Sequence, residues 1–326
     1  MLDSLVETKD GQHIAARFFR PQGEPKGSVL IVPAMGVTQD YYQPFASWLA
    51  TQGFIAATFD YRGTGLSRPR DLRGFKADIF DWARLDCAAM IDALPQRPLY
   101  WIGHSLGGQI LALVPNKHSV AKAVTVATGS GYWLENVPSL RFKVWWLWFV
   151  LTPIALRVCG YFPGKALRKV GDLPKGVMAQ WRRWCLDPEY AVGAEGDVVR
   201  AQYAAVRAPI VSISFSDDEM MSVRKHRIDT QLLHLRAADP EAHRAARHRR
   251  RTHRALRLFP RRVRVLALAA APAARAGLGR NQRQLLPIQP LRVVLGEALT
   301  VPDGHDRGAR ELVPQQSVEP VLVTLR

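Results

Sequence analysis

Cysteine is scarce in this chain. There are three, Cys87, Cys159 and Cys185, far apart and with no CxxC pair. That spacing excludes a disulfide framework and a zinc ribbon, and it makes a reducing cytoplasm the expected setting. No HExxH and no Cys-His cluster occurs, so neither a metal nor a cofactor is implied. No apolar run reaches the roughly 18 residues needed to span a bilayer. The opening MLDSLVETKDGQHIAARFF lacks the basic-then-apolar order of a signal peptide. Internal repeats are absent as well.

Aromatic residues are missing from one whole region. Of the 9 Trp, 8 Tyr and 12 Phe, only Phe259 lies beyond Ser222. The overall charge of +17 divides at the same place, +4 up to Ser222 and +13 from Val223 onward. Two compositions are joined there. We expect a core over residues 1–222 and an Arg/Ala/Pro-rich tail over 223–326 that is irregular or disordered, because a charged, aromatic-poor segment has little to bury. Arginine clusters such as RHRRRTHRALRLFPRRVR bind phosphates. No aromatic platform or zinc spacing accompanies this one, so nucleic acid is the least favoured partner.

The front part has enough apolar residues for one large core with an insertion. LVETKDGQHIAARFF alternates around Asp10-Gly11, which predicts a β-hairpin. SVLIVP, FIAATFD, PLYWIG, AKAVTVAT and APIVSISFS read as buried strands. YYQPFASWLATQG, capped at Gly53, and DIFDWARLDCAAMIDAL read as helices between them. Buried strands alternating with helices predict an α/β fold whose mostly parallel sheet is covered on both faces. A helical insertion at about 130–205 separates the last two strands. Its centre, FKVWWLWFVLTPIALRVCGYFPG, has three readings: a helix pair on the core, a lid over an apolar site, or a weak membrane-surface contact through Trp145, Trp146 and Trp148.

GHSLG fits G-x-S-x-G with a strand before it and LGGQILAL after it. A sharp strand-to-helix turn exposes the Ser105 hydroxyl at a strained position. Gly103 and Gly107 leave room for the neighbouring strand and helix. The Leu106 amide, free at the helix start, can help hold an oxyanion. His104 points away from Ser105 in such a turn and is not expected to be the base.

Together with VPAMGVTQDYYQPFASWLATQGF, FDYRGTGLS, GDLPKGVMAQWRRWC and SFSDDEMM, this motif makes residues 6–222 resemble the α/β-hydrolase fold, near the serine aminopeptidase-like and monoacylglycerol-lipase-like hydrolases. The resemblance implies a cap domain, hydrolysis of an ester or, less favoured, an amide through an acyl-enzyme, and a triad in the order Ser, Asp, His. It places the second oxyanion donor at the amide of Met35, with Ala34 as the alternative. Asp60 and Arg62 in FDYRGTGLS are read as a structural charge pair. The triad acid is assigned to Asp218, with Asp217 second; Glu219 follows them in the same loop.

The base is unassigned. His226, His234, His243, His248, His253 and His305 follow Asp218, but none stands in a stretch like RIGHFGFFR, which the resemblance implies. His305 lies too far along, and His253 sits in an arginine-rich run. Written as codons with free third bases and read from the second base of the Thr252 codon, RTHRALRLFP permits that stretch residue for residue. The hidden histidine codon straddles Ala255 and Leu256. We therefore expect a tail translated out of frame from a change between Ser222 and Leu233. The alternative to an active serine hydrolase is therefore a catalytically impaired protein on the same fold that lacks its triad histidine.

Overall fold

The computed structural model describes residues 1–215 and 322–325. Asp217, Asp218, Glu219, the six later histidines and nearly all of the tail lie outside the described residues. Ten strands are placed: β1 (Leu2–Glu7), β2 (His13–Phe19), β3 (Ser28–Val32), β4 (Ile55–Phe59), β5 (Leu99–His104), β6 (Val120–Val126), β7 (Tyr161–Phe162), β8 (Leu173–Pro174), β9 (Ile210–Phe215) and β10 (Leu322–Leu325). Eight of them form one sheet in the order β1-β2-β4-β3-β5-β6-β9-β10, and β7 with β8 makes a separate short ladder. From β4 to β10 the sheet is parallel; β1 and β2 run antiparallel at its edge. The predicted hairpin is β1 and β2, and Gly11 makes its turn possible with φ of 78°, a conformation that costs a residue with a Cβ.

The strand interiors alternate faces, as a pleat requires. Val29, Ile31, Tyr100, Ile102, Val124 and Ile213 pack on one side with Ala46 and Leu49 of α1 (Gln43–Thr51). Leu30, Val32, Leu99, Trp101 and Ala123 face the other side. There they meet a helix that starts as α2 (Ile79–Asp81), runs through a π-helical stretch (Trp82–Cys87) and ends as α3 (Ala88–Asp92). Asp78 caps that helix, accepting from the Asp81 amide while Asp81 accepts from the Asp78 amide. Both faces are thus buried, which is why these strands read as unbroken apolar runs. Burying each large aliphatic side chain contributes about 1.5–3 kcal/mol.

Between β6 and β9 the insertion forms α5 (Pro138–Trp146), a π-helical stretch (Leu147–Leu151), α6 (Thr152–Val158), the β7/β8 ladder, α7 (Lys175–Leu186), α8 (Tyr190–Glu195) and α9 (Asp197–Ala204). Trp148 and Trp184 are buried and join the same core as the sheet. α5, by contrast, has no buried residue.

The expected pairing of Asp60 with Arg62 does not occur. The Asp60 carboxylate instead accepts from the Gln39 amide (2.9 Å), the Gln39 side chain (3.1 Å) and the Leu66 amide (2.9 Å), holding the loop after β4 in shape. Arg62 turns the opposite way. Its Nε donates to Asp86 at 2.7 Å, and its two Nη atoms donate to Asp10 at 2.7 and 3.0 Å. One guanidinium therefore ties the hairpin turn to the π-helical stretch. Asp86 is fully buried, and burial pushes its carboxyl up to about 7 against the pull of Arg62. Arg62→Leu removes the counter-charge and leaves that carboxylate only the amide of residue 62, at 2.9 Å, as a hydrogen-bond partner. We expect a loss of about 3–5 kcal/mol in urea unfolding.

The Arg62 side chain also holds the Asp10 carboxyl down to about 2. An unfolded aspartate titrates near 3.9. The stabilisation from Asp10 is therefore complete above about pH 4 and is lost as pH falls through about 2. Because Asp10 is partly solvated, the effect is modest. The melting temperature of Asp10→Asn should fall less steeply over that acid window than that of the native chain.

Candidate active site

β5 delivers Ser105 to the end of the sheet where the parallel strands finish. Gly103 pairs with Thr125 of β6, and Val126 of β6 pairs with Ile213 of β9, so all three strands end together. The chain then reverses. Ser105 has φ of 50° and ψ of −114° and begins α4 (Leu106–Gln109), which tightens into a 3-10 turn at Ile110–Leu113. Such a conformation costs a residue with a side chain of order 1–3 kcal/mol and persists only where its surroundings enforce it. Here the Ser105 amide donates to Val126 O (2.9 Å), while its carbonyl accepts from the Gly108 amide (3.0 Å) and Thr128 Oγ1 (3.1 Å). The side chain is half-buried, so its hydroxyl remains within reach of a ligand.

The glycines around the turn have the packing role expected of them. A Cβ on Gly103 would stand 2.4 Å from Gly107 O, and one on Gly107 would stand 2.2 Å from Val32 O. Gly108 is equally confined, 2.3 Å from Thr128 Oγ1. α4 thus lies directly against the end of β3 and the loop that follows it.

That loop carries the candidate oxyanion donors, and the structure separates them. The Ala34 amide donates to the Tyr42 hydroxyl at 2.9 Å. Among the described residues, the amides of Met35 and Leu106 donate to no protein acceptor. Tyr61 Oη fixes the same loop by donating to Pro33 O at 3.0 Å. Met35, in the loop after β3, and Leu106, the first residue of α4, therefore carry uncommitted amides.

Tyr42 went unnoticed in the sequence. Its hydroxyl lies 2.9 Å from His104 Nδ1 and bridges the Ala34 amide to the residue before Ser105. Burial raises the Tyr42 phenol above its ordinary range, although the Ala34 amide works against this. It stays protonated, accepts from the Ala34 amide and shares a second hydrogen bond with His104 Nδ1. His104 is thereby engaged with the loop after β3. No local pattern announces this contact, because Tyr42 and His104 are 62 positions apart. Tyr42→Phe should cost about 1–3 kcal/mol in thermal unfolding by orphaning a buried amide. With the loop held by Tyr61 alone, we also expect a several-fold fall in kcat with KM little changed.

The insertion reaches the same region. Gly171, in the loop before β8, crosses the loop after β3 closely enough that a Cβ on it would stand 2.6 Å from Gly36 O. Tyr190 of α8 donates to Gln109 Oε1 at 3.1 Å, and Tyr203 of α9 donates to Gln109 O at 2.9 Å. Gln109 closes the set by donating to Gly129 O. Two insertion helices are thus anchored on the helix that begins at Ser105.

The described histidines are His13, His104 and His118. His118 precedes β6, at the opposite end of the sheet from Ser105. His13 begins β2 near the sheet edge. Asp218 lies outside the described residues, three positions beyond the end of β9. Among the described residues no group of three or more His, Cys, Asp or Glu is arranged to hold a metal ion.

A family model described as serine aminopeptidase, S33, matches residues 23–159, which include β3, the loop after it and the turn at Ser105. Human monoglyceride lipase is 28% identical over 108 residues, covering 32% of this chain and 35% of that protein. The mouse enzyme is 28% identical over 109 residues with the same coverage. The matched segment thus spans about a third of the length of these curated relatives. Among solved structures, a soluble variant of the Saccharomyces cerevisiae monoglyceride lipase in complex with a substrate analog aligns with a TM-score of 0.51 and 16% identity. It covers 71% of this chain and 82% of that one. That likeness establishes the shared fold.

Proposed function

We propose that the chain is a serine hydrolase of the α/β-hydrolase superfamily that cleaves a carboxylic ester, in preference to an amide, through an acyl-enzyme on Ser105, a reading supported by its similarity to a serine aminopeptidase family model over residues 23–159 and to monoglyceride lipases. The observation that carries this reading is a half-buried serine on a strained turn, together with the uncommitted amides of Met35 and Leu106. The Ser105 oxygen attacks the substrate carbonyl and gives its proton to a base. The two amides donate to the oxyanion of the tetrahedral intermediate, which is stabilised more than the planar ground state. Collapse expels the alcohol, and water then releases the acid from Ser105.

Asp218 is proposed to orient the base. β9 ends at the same end of the sheet as β5, which supports that assignment. The helices at about 130–205 are proposed to act as a cap. Their contacts with Gly36 and Gln109 support that role. Their apolar character, and the likeness to monoglyceride lipases, support an ester with an apolar acyl or aromatic group. A cytoplasmic setting belongs to the same reading and rests on three free cysteines.

A second reading has its own observation. Among the described residues, His104 is bonded to Tyr42 and His118 lies at the opposite end of the sheet from Ser105, so this reading looks for the base in the segment after Ser222, where the composition changes. If that segment is translated out of frame, the protein is an impaired hydrolase that lacks its triad histidine. The coding DNA decides between them: a frame shifted by one base must encode RIGHFGFFR at Thr252–Pro260 without stop codons before it. On the protein, a fluorophosphonate probe and a p-nitrophenyl ester provide the assay. Labelling of Ser105 with sustained turnover supports the active hydrolase. No labelling and no turnover, in a folded chain, refutes it.

A further inference from the structure

The insertion carries a stripe of stacked aromatic rings that faces water. Phe142, Trp145 and Phe149 recur at the spacing that shares one helical face. Phe142 stacks on Trp145 at 6.1 Å and 18°, and Trp145 on Phe149 at 5.9 Å and 25°. Trp133 closes on Phe149 edge-on at 5.6 Å. Phe142 is 73% exposed and the adjoining Trp146 is 49% exposed. On α6, Ile154 and Val158 are also exposed, one helical turn apart. Single exposed apolar side chains are ordinary, but a contiguous apolar surface marks a binding face.

Charge selects the partner. From Pro138 to Val158 the charged residues are Arg141, Lys143 and Arg157, with no Asp or Glu. All three are exposed. In a two-fold dimer through this face, the same cations would meet their own copies, which is repulsive. The segment from Val223 onward, at +13, is a poor match for the same reason. An anionic lipid surface suits both features. Indole and phenyl rings settle at headgroup depth, and lysine and arginine are drawn to acidic headgroups. Among the described residues no helix is long and apolar enough to cross a membrane. A helix with this composition lies on the surface instead.

We propose that the face formed by Phe142, Trp145, Trp146 and Phe149, flanked by Arg141, Lys143 and Arg157, docks the protein reversibly on anionic lipid bilayers. Docking stands on this surface alone and does not require the hydrolase reading.

The test is flotation of the full chain with vesicles of phosphatidylcholine containing about 30% phosphatidylserine, compared with phosphatidylcholine alone. The chain should float with the anionic vesicles and be released by high salt. The double variant Phe142→Ser/Trp145→Ser should bind at least about tenfold more weakly. Lys143→Glu/Arg157→Glu should bind well over tenfold more weakly, since each basic residue near the surface contributes about fivefold. These positions are exposed, so the melting temperatures should match that of the native chain and show that folding is intact. No binding to anionic vesicles overturns the proposal, as does equal binding to neutral ones or native binding by both variants. A lipid-free dimer that dissociates in Phe142→Ser/Trp145→Ser overturns it in favour of a second copy. No arm of the experiment reads turnover, so a failed hydrolase and a failed docking face are distinguishable.

Discussion

Ser105→Ala is expected to abolish covalent labelling by a fluorophosphonate probe while leaving the fold intact. The alanine needs the same φ of 50° as the serine, so the backbone strain is unchanged, and the side chain shrinks by one oxygen at a half-buried position. The size of the accompanying loss in ester turnover carries further information. A nucleophile working with its base and acid is worth about 10⁴ to 10⁶ in rate, because the members of such a set act as a unit. If a histidine from the segment after Ser222 serves Ser105, the variant should fall by that factor. If no histidine serves it, the native chain already works mainly through its oxyanion donors, and the mutation should remove little more. A stopped assay with p-nitrophenyl ester, run beside the probe, measures both. Retained labelling in Ser105→Ala would assign the nucleophile to another residue and end the proposed mechanism.

Gly107→Ala is expected to damage stability and catalysis together. The added methyl would stand 2.2 Å from Val32 O, 2.7 Å from Val32 C and 2.9 Å from Pro33 O. These are backbone atoms that cannot rotate aside, so α4 must back away from the end of β3. Overpacking of this kind costs typically 1–3 kcal/mol, and we expect about 3 because every contact is with main chain. The displacement falls between the two donors: Leu106 precedes Gly107 and Met35 follows Pro33 by two residues. Moving one away from the other weakens the hold on the oxyanion, and loss of a single donor costs about 10²–10³ in kcat. Urea unfolding and steady-state kinetics on the same sample separate the two effects. A variant with native stability and native kcat would show that α4 and the loop after β3 do not need to touch.

These outcomes depend on contacts of very different legibility. The central strands could be read from the chain because they are buried on both faces and therefore unbroken in their hydrophobicity, as at Ser28–Val32, Ile55–Phe59 and Leu99–His104. The turn at Ser105 could be read because its requirements are local: small residues two before and two after a serine, between a strand and a helix. The partner of Arg62 could not. The sequence neighbour Asp60 looked like the natural counter-ion, but the loop turns Asp60 toward Gln39 and Leu66 and Arg62 toward Asp86 and Asp10. Tyr42 was invisible for the same reason, since its partners lie on β5 and in the loop after β3.

By itself, then, the sequence determined the α/β layering, the hairpin at the sheet edge and the serine on its bend, because these follow from periodicity and from steric demands within a few residues. Tertiary structure decided which charges pair and which amide near Ala34 and Met35 stays uncommitted. It also decided which aromatic residues of the insertion join the core, as Trp148 does, and which face water, as Phe142 does. Each of those outcomes is set by elements that meet only when the sheet closes, and the free energy of a buried charge or an orphaned amide depends on what the distant chain brings to it.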